Sequence, residues 1–370
     1  MPTSNGAPKR ALPHGQPGPY RVVGLDRDLA DEGLADWWNA LPQPQVSPVL
    51  RWEYLRAWAD AFVPSDARLA VHVALHGDEP VAAVPLYRQG GVLRSLANDH
   101  SDHFDAGWDP AHPGAVAALA AALMRRRASL IRLPGGSELL AAIRRAGPPL
   151  LVDIDVSPYL ELPGSADDLM ANLSSRFRAN VRKAVRTLQA LGELQFSDVV
   201  AGTPEGDAAF RAMCDVEVHS WKGRQGDAID SHDETRRFYR ALALEGPASQ
   251  WTHLAVLRAG ERVVAAQLDL EHAGRRVGMR TSFVDDLPGK QSPGLVLLWS
   301  VLSNEIERGV RVHDFGGDRD PWKLHWTDTG TERVSLRSWP ATPAGRLTFA
   351  AREHLKPVVK PLLRHVTTDE

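Results

Sequence analysis

Ionisable side chains gather around a Gly-Gly turn near the carboxyl end of the 370-residue chain, in the stretch HDFGGDRDPWKLHW. Asp314 lies in a strand predicted over residues 310–315, and Asp318, Trp322 and Lys323 follow it. A carboxylate at a strand end can orient or deprotonate an amine or hydroxyl, and a lysine can neutralise a developing negative charge. A structural ion pair of Asp314 with Lys323 or with an arginine is the competing explanation. The turn is therefore a candidate catalytic site, with Asp318 and Trp322 as substrate contacts.

The segment before this strand is predicted to bind an anion. A helix is predicted from Leu295 to Arg308, and the sequence QSPG comes directly before it. Free N–H groups and the helix dipole at such a start favour a phosphate group, and glycine lets the backbone approach it closely. A plain turn is the alternative. The predicted contacts to a pyrophosphate are Gln291, Ser292, Gly294, Leu295 and Val296.

A basic stripe marks the amphipathic helix predicted over residues 167–191. Arg178, Arg182 and Arg186 run beside its apolar face, and no acidic residue lies between Arg176 and Arg186. Because acidic residues usually supply i,i+4 partners on a solvated helix face, their absence indicates an anionic partner. A solvated surface without a partner is the alternative interpretation.

Two further groups of polar residues have a less specific pattern. His219 ends a helix predicted over residues 205–220, and Trp221 follows it. The histidine can act as a general base or an acceptor contact, or it can simply cap the helix. The first part of the chain contains NDHSDHFD from Asn98 to Asp105, which is too short a set to close a metal site by itself.

Composition limits the classes of protein and partner. Hydrophobic residues make up 43% and charged residues 24%, which are values typical of a globular protein. A net charge of −3 disfavours wholesale binding to nucleic acid or to a membrane surface, and the single Cys214 allows no internal disulfide. No apolar run approaches the ~20 residues of a membrane span, and the N-terminus has no apolar signal core. We therefore expect a cytoplasmic protein without a membrane span.

The predicted elements place the candidate residues in the second of two related halves. The hairpin sequence LAVHVALHGDEPVAAVPL from Leu69 is similar to LAVLRAGERVVAAQLDL from Leu254, and a Trp-containing helical stretch precedes each. Strands are predicted over residues 252–258, 263–270 and 276–284, before the loop, the helix and the strand described above. We predict a mixed-sheet α/β fold with this division: a disordered tail over 1–19, halves over 20–160 and 161–345, and a C-terminal helix or tail over 346–370.

Several of these segments occur together in one known family. The basic helix, then EVHSWKG, then the hairpin, then SPGLVLLWS and DFGGDRDPWK cover roughly residues 165–330. In this order they resemble the Gcn5-related N-acetyltransferase (GNAT) superfamily, in its CelD- and BcsL-like branch of cellulose and exopolysaccharide clusters. That branch is similar to the Fem-type aminoacyl ligases. The family's Ser-Pro-Gly falls on Ser292 to Gly294, its Asp-Phe-Gly run on Asp314 to Asp318, and its aromatic-Lys pair on Trp322 and Lys323.

The resemblance implies two tandem GNAT-like halves and direct transfer of an acyl group from acyl-CoA, such as acetyl-CoA, without a metal. The acceptor would be an amine or hydroxyl of a small metabolite or glycan precursor, with a role in polysaccharide biosynthesis. His219 and Trp221 would line the acceptor side. Two departures stand out: Val296 occupies a place that is usually Gly or Ala, and Trp322 replaces a tyrosine, which excludes a phenolic proton donor there.

Two other functions fit the same sequence. A Fem-like ligase would use aminoacyl-tRNA and hold the RNA on Arg178, Arg182 and Arg186. A degenerate domain would serve as a binding subunit without catalysis. The sequence leaves the acyl group, the acceptor and the oligomeric state open.

Overall fold

A computed structural model describes residues 19–25 and 32–351. The strands of the first half are β1 (Tyr20–Leu25), β2 (Arg68–Leu69), β3 (Val71–His76), β4 (Glu79–Val84), β5 (Leu86–Gln89), β6 (Val92–Ser95), β7 (Gly107–Trp108), β8 (Arg127–Pro134) and β9 (Leu150–Glu161). Its helices are α1 (Glu32–Asn39), α2 (Pro42–Val46), α3 (Trp52–Phe62), α4 (Gly114–Leu123) and α5 (Glu138–Ala146). Apart from residue 19, the predicted N-terminal tail lies outside the described residues.

The second half continues with six helices and six strands within the described part of the chain. The helices are α6 (Ala166–Asn172), α7 (Ser175–Gln189), α8 (Pro204–Val218), α9 (Trp221–Gln225), α10 (Asp233–Arg240) and α11 (Pro293–Arg308). The strands are β10 (Leu194–Val200), β11 (Thr252–Ala259), β12 (Arg262–His272), β13 (Arg275–Phe283), β14 (Val312–Asp314) and β15 (Gly330–Ser338). A helical segment starts at residue 343, and residues 352–370 lie outside the described range. Across the described residues, no helix is both long and apolar enough to cross a membrane.

Two sheets form the framework, and one of them joins both halves. The smaller sheet has the order β1-β3-β4-β7, and the larger has the order β10-β11-β12-β13-β14-β9-β15-β8-β6-β5-β2. The last strand, β15, lies between β9 and β8 and is antiparallel to both. A continuous sheet therefore crosses the boundary near residue 160, and the exact division into domains stays a prediction.

The two halves repeat one arrangement of elements. An antiparallel run of four strands (β1-β3-β4-β7, and β10-β11-β12-β13) is followed by a helix (α4, and α11) and then by a strand (β8, and β14). The similar hairpins β3–β4 and β11–β12 hold the same place in each run. The predicted mixed α/β fold with tandem halves is confirmed.

The helices follow their apolar patterns, with one correction. The helix predicted from Trp52 to Phe62 has those bounds. The single helix predicted over residues 167–191 is wrong, because α6 ends at an extended Leu173, and Ser174 Oγ then accepts the Phe177 N–H at 3.2 Å to start α7. The buried stripe continues across the break, so periodicity alone did not reveal it.

A group of buried charges, which we call the core cluster, lies inside the second half. Arg276 Nη1 is 2.6 Å from Asp198 Oδ2, its Nη2 is 2.8 Å from Asp269 Oδ2, and its Nε is 3.2 Å from Glu305 Oε1. His313 Nδ1 lies 2.9 Å from the same Glu305 oxygen. Burial alone would lower the pKa of His313, but Glu305 and Asp269 raise it. The cluster ties α11 to four strands through charge-assisted hydrogen bonds.

Candidate functional site

The regular pairing of the two parallel strands of the second half ends beside a cavity. β13 and β14 pair over Arg275–Val277 and Val312–Asp314, and Gly278 and Phe315 follow the last pair. A cavity of ≈ 230 Å³ opens at this point. Its wall includes the loop Asp99–Asp102 from the first half and Gly278–Thr281, Phe315–Gly317, Trp322 and Lys323 from the second. The carboxyl ends of parallel strands are a frequent place for ligand sites.

A β-bulge lies in the cavity wall. Leu268 pairs with Arg280 and Asp269 pairs with Gly278, so Met279 is an extra residue on β13. A bulge leaves such a residue out of the regular ladder of hydrogen bonds, and bulges often occur beside active sites. Met279, which lies in the cavity wall, is therefore outside the regular pairing of β12 and β13.

The glycines of the predicted turn allow a close backbone approach. Gly316 has φ +58°, and a Cβ on it would lie 2.3 Å from the Gly278 carbonyl oxygen. Any other residue at this position would push the two strands apart. The turn that the sequence indicated is thus required for the shape of the cavity floor.

Asp314 lies directly behind the cavity wall and not in it. It is 4% exposed, its Oδ2 accepts from Arg275 Nη1 at 2.9 Å, and its Oδ1 accepts the Gly316 N–H at 3.0 Å. These two donors fix the carboxylate at the last paired residue of β14. The prediction of Asp314 as a site residue therefore gains a defined geometry, although the carboxylate reaches the cavity only through its neighbours.

A second carboxylate, Asp102, comes from the first half and lines the cavity. Ser157 Oγ lies 2.7 Å from Asp102 Oδ1 and 3.4 Å from Asp314 Oδ1, so one hydroxyl connects the two acids. Arg333 Nη1 is 3.2 Å from Asp102 Oδ1. We call Asp102, Ser157, Arg275, Asp314 and Arg333 the interface cluster.

The two acids of the interface cluster differ in proton affinity. Burial and then the negative charge of Asp102 raise the pKa of Asp314 to about 6, against the opposing effects of Arg275 and the Gly316 N–H. Burial alone would raise the pKa of Asp102 as well. His103 and Arg333, together with the Ser157 hydroxyl, instead hold the pKa of Asp102 far below its usual range. At neutral pH Asp102 is therefore ionised, and Asp314 is a base of suitable strength.

Lys323 is placed differently from its predicted role. Its Nζ donates to the Gly316 carbonyl at 2.6 Å and to the Asp318 carbonyl at 2.7 Å, and lies 3.0 Å from Asp320 Oδ2. Neither the predicted free ammonium nor an Asp314–Lys323 ion pair is found. The structural ion pair of Asp314 that the sequence offered as the alternative is instead made with an arginine, Arg275. The lysine instead stabilises the Gly-Gly turn by donating to two of its carbonyl groups.

Two other predicted contacts lie close to this turn. Trp322 lines the cavity and is 47% exposed, and its ring packs edge-on against Phe315. The Asp318 carboxylate accepts from Arg333 Nη2 at 2.8 Å, which joins the turn to β15. Trp322 thus has the position of a substrate contact, whereas Asp318 braces the interface cluster.

A network of charges supports the opposite wall of the cavity. The fully buried Glu217 accepts from Arg280 Nε at 2.6 Å, and Lys222 Nζ lies 3.3 Å from the same carboxylate oxygen. Burial and then Arg280 lower the pKa of Lys222 to about 8. Arg280 itself lines the cavity, and His100 Nδ1 lies 3.1 Å from Tyr239 Oη beside it. Burial and then Arg280 lower the pKa of His100 to about 4, so this ring is neutral at pH 7.

The structure does not bring His219 and Trp221 to the cavity. His219 is exposed, its Nδ1 contacts the Asp215 carbonyl at 2.8 Å, and it lines a separate cavity of ≈ 550 Å³ with Arg258 and Arg262. This is the helix-capping role that the sequence left open. Trp221 is partly exposed at the start of α9. Of the EVHSWKG motif, Glu217 and Lys222 turn inward instead.

The structure engages several of the predicted anion-binding residues at the start of α11 in contacts within the protein. Val296 and Leu295 both donate their N–H groups to the Ser292 carbonyl, at 3.2 and 3.1 Å, so neither of these two predicted contacts offers a free donor to a ligand. A Cβ on Gly294 would lie 2.8 Å from the Phe283 ring, so this glycine serves packing against β13. The Gln291 side-chain amide donates to the Pro288 carbonyl, while its Oε1 is buried without a hydrogen-bond partner.

The basic stripe lies outside the cavity. Arg182 is exposed on α7, whereas Arg178 is half-buried and its Nη1 donates to the Ala171 carbonyl at 2.9 Å. Arg182 lines a shallow cavity with Met170 and Trp299, between α7 and α11. Neither arginine contacts the interface cluster.

Sequence reasoning missed most of the site residues that come from remote positions. Asp102 was noted only as part of an unconvincing metal-like motif, and Ser157, Arg275 and Met279 carried no signal. Glu217 did carry one: it lies four residues after the buried Met213 on α8, where a charge on an apolar face needs a partner. Across the described residues, no group of His, Cys, Asp and Glu has the arrangement of a metal site.

Comparison with known proteins agrees with this architecture. Residues 175–324 match the family described as "Acetyltransferase (GNAT) domain". The matched part of the chain contains the bulge, α11 and the Gly-Gly turn. No curated protein sequence matches the chain.

Solved structures extend the likeness to most of the chain. The structure of FemX superposes with a TM-score of 0.55 at 10% identity, over 85% of this chain and 96% of that one. The C-terminal domain of a putative lysylphosphatidylglycerol synthetase from Agrobacterium fabrum gives a TM-score of 0.51 at 15% identity, over 81% and 90%. L-PGS from Bacillus licheniformis gives 0.51 at 12% identity, also over 81% and 90%. At such low identity the likeness concerns the fold alone.

Proposed function

We propose that the protein is an acyltransferase that moves an acyl group from acyl-CoA to an amine or hydroxyl of a small metabolite or glycan precursor. One observation carries the proposal: the pairing of β13 and β14 ends beside a cavity that has the Met279 bulge in its wall, and Asp314, the last paired residue of β14, is buried next to that wall. This geometry lies within the segment that matches the GNAT domain. It supplies a place for a reacting carbonyl and a buried base next to each other.

The start of α11 fits the phosphate and amide groups of the donor. The helix has 16 residues, so its dipole favours an anion at Gly294, and Lys290 is an exposed cation in the preceding loop. Asp285 and Asp286 in the same loop are paired with Arg224 and Arg262, which offset their negative charges. The buried, unpaired Gln291 Oε1 is a suitable acceptor for an amide N–H of the donor.

The chemistry follows from the groups around the cavity. The Met279 N–H would donate to the thioester carbonyl oxygen and stabilise its developing negative charge. The acceptor lone pair forms the new C–N or C–O bond, and the C–S bond breaks with its electron pair leaving on sulfur. The acceptor proton passes to the interface cluster, where Asp314 holds it because its pKa is about 6. Lys323 shapes the site without supplying a free charge.

The acceptor would enter between the two halves. A second cavity of ≈ 550 Å³ is lined by Phe62, Tyr87 and Asn98 of the first half and Arg237 of α10. His100 separates it from the catalytic cavity and stacks on Phe62 with a centroid distance of 5.2 Å and an interplanar angle of 10°. Aromatic surfaces with a few polar groups are typical of sites for small organic ligands. An acceptor longer than one cavity can therefore be held on both sides of His100.

A Fem-like ligase that uses aminoacyl-tRNA is the second candidate. The exposed arginines of α7 favour it, because a surface without acidic partners suits a phosphate backbone. FemX shares the fold over 85% of this chain, and this likeness supports the ligase by analogy of fold alone. The two candidates differ in the donor and therefore in the ligand that stabilises the protein.

The deciding experiment is thermal unfolding with acetyl-CoA and, separately, with aminoacyl-tRNA. Acetyl-CoA at a hundred times its Kd should add about 2.7 kcal/mol to the unfolding free energy. Lys290→Glu should weaken acetyl-CoA binding about fivefold or more, because it reverses a charge beside the phosphate site. Lys183→Glu makes the same charge change on α7 and should leave the Kd unchanged. Stabilisation by aminoacyl-tRNA alone would establish the ligase, and stabilisation by neither would reject both donors.

A further inference from the structure

We propose that Asp102 receives the acceptor proton in the cavity and passes it through the Ser157 hydroxyl to Asp314. The inference rests on the proposed function, since it concerns the proton released in acyl transfer. It makes Asp102, from the first half, a catalytic residue of the site in the second half. Ser157 and His103 are positioning residues.

The position of the two acids requires an intermediary. Asp102 lines the cavity, whereas Asp314 lies behind it and is held by Arg275 and the Gly316 N–H. Ser157 lies between the acids on β9, 2.7 Å from Asp102 Oδ1 and 3.4 Å from Asp314 Oδ1. The shorter contact shows that the hydroxyl donates to Asp102 at rest.

The proton balance of the relay is simple. The acceptor N–H or O–H gives its proton to the Asp102 carboxylate, which becomes neutral. The new Asp102 O–H donates to Ser157 Oγ, and the Ser157 hydroxyl turns its own proton to Asp314 Oδ1. After the shift Asp102 is ionised again, Ser157 is unchanged and Asp314 carries the proton.

A hydrogen-bonded chain of His103 and Ser47, which we call the histidine arm, holds the other carboxylate oxygen of Asp102. His103 Nδ1 lies 3.0 Å from Asp102 Oδ2, and His103 Nε2 lies 2.9 Å from Ser47 Oγ. These are the same three groups that form a serine nucleophile in hydrolases. Ser47 is buried and is not among the residues that line the cavity, whereas Asp102 is. The histidine arm therefore orients Asp102 and leaves Oδ1 for the exchange with Ser157.

The charges around the pair favour proton transfer in this direction. Arg275 from β13 faces Asp314, and Arg333 from β15 faces Asp102 together with His103. Tyr159 from β9 lies under Arg275, while Asp155 and Asp318 contact Arg333. His103, Arg333 and the Ser157 hydroxyl keep Asp102 ionised, and the negative charge of Asp102 raises the proton affinity of Asp314. The proton is therefore drawn from the cavity towards Asp314.

An NMR titration of aspartate carboxyl carbons tests the coupling without any substrate. In the parent protein Asp314 should titrate near pH 6. In Asp102→Asn its pKa should fall towards the ordinary value of about 3.9, because the neighbouring negative charge is gone. Asp153→Asn removes an exposed charge from β9, the strand of Ser157, and should leave the titration unchanged. An unshifted Asp314 titration in a folded Asp102→Asn protein would overturn the coupling.

Steady-state kinetics tests the relay itself. Asp102→Asn should lower kcat at least about 100-fold. Ser157→Ala should lower kcat about tenfold at unchanged KM, while the NMR pKa of Asp314 stays near 6, because the Asp102 charge remains. Ser157→Thr keeps the hydroxyl and should restore most of kcat. Equal kcat in the parent and Ser157→Ala would overturn the relay, whereas a parent without any acyl-CoA turnover would reject the proposed function and leave the NMR result standing.

Discussion

The core cluster and the interface cluster are built from neighbouring residues but differ in what they can do. Arg275 and Arg276 are consecutive on β13, and His313 and Asp314 are consecutive on β14. Because side chains alternate along a strand, Arg276 and His313 point into the second half, whereas Arg275 and Asp314 point to the boundary between the halves. Both clusters contain buried acids and an arginine. The interface cluster borders the cavity of ≈ 230 Å³ through Asp102, and no residue of the core cluster is in the wall of that cavity. Burial of charge alone therefore does not identify a catalytic site.

The largest effect on stability should come from the core cluster. Arg276→Met removes the guanidinium that contacts Asp198, Asp269 and Glu305, and leaves these acids buried without their main partner. We expect a loss of about 3–5 kcal/mol in the free energy of unfolding, measured by urea denaturation. Arg275→Met is the matched control and should cost less, because its side chain is 30% exposed and Asp314 can bind a proton instead. Equal losses would remove the distinction between the clusters.

The next effect concerns activity at the interface cluster. Asp314→Asn keeps the shape of the side chain but cannot bind the proton, so turnover with acyl-CoA should fall about 100-fold or more. In the parent, kcat/KM should rise with pH through about 6 as Asp314 loses its proton. Full activity of the folded Asn variant per molecule would show that Asp314 serves only the structure.

The same variant should alter the pH dependence of stability. The pKa of Asp314 is raised by folding, so its contribution to stability is complete below about pH 4 and is lost as the pH rises through about 6. Asparagine has no such loss. The unfolding free energy of Asp314→Asn relative to the parent should therefore increase by about 3 kcal/mol between pH 4 and pH 7, measured by urea denaturation at each pH. A constant difference across this range would contradict the raised pKa.

Lys323→Met should produce a moderate loss of stability rather than a purely catalytic defect. The ammonium donates to the Gly316 and Asp318 carbonyls, and its removal leaves these acceptors unpaired. We expect a cost of about 1–3 kcal/mol and a lower turnover because the Gly-Gly turn loosens. Lys183→Met, on the exposed side of α7, should change stability by less than about 0.5 kcal/mol. Unchanged stability with lost turnover would support the original catalytic role of Lys323.

The smallest effect is expected for the basic stripe. Reversing Arg178, Arg182 and Arg186 to Glu should leave the Kd of acetyl-CoA and the KM of a small acceptor within about twofold, because none of the three lines the catalytic cavity. Binding of aminoacyl-tRNA, if it is the donor, should instead be lost, and in the parent should weaken steeply with salt. Impaired kinetics with a small acceptor would place that acceptor on α7.

Local sequence accounted well for elements that depend on local rules. The bounds of α3, the hairpins of both halves and the glycine that ends α11 followed from periodicity and turn residues. It also indicated Asp314 and the Gly-Gly turn as a candidate site, because an acid followed by two glycines at a strand end is uncommon in a purely structural turn. The break between α6 and α7 was missed, since the buried stripe passes through it unchanged.

By itself, the sequence determined that this is an α/β protein of two similar halves with a GNAT-type segment, because secondary structure and family motifs are properties of contiguous residues. Only the tertiary structure decided which charges act together. Asp102, Ser157 and Asp314 meet because β9, β14 and β15 lie side by side in the large sheet and the loop after β6 folds against them. The same sheet placed Arg276 and Lys323 against partners that neutralise them. A pattern along the chain contains no distance between such strands, so the roles of these charged residues could be assigned only after folding had fixed their neighbours.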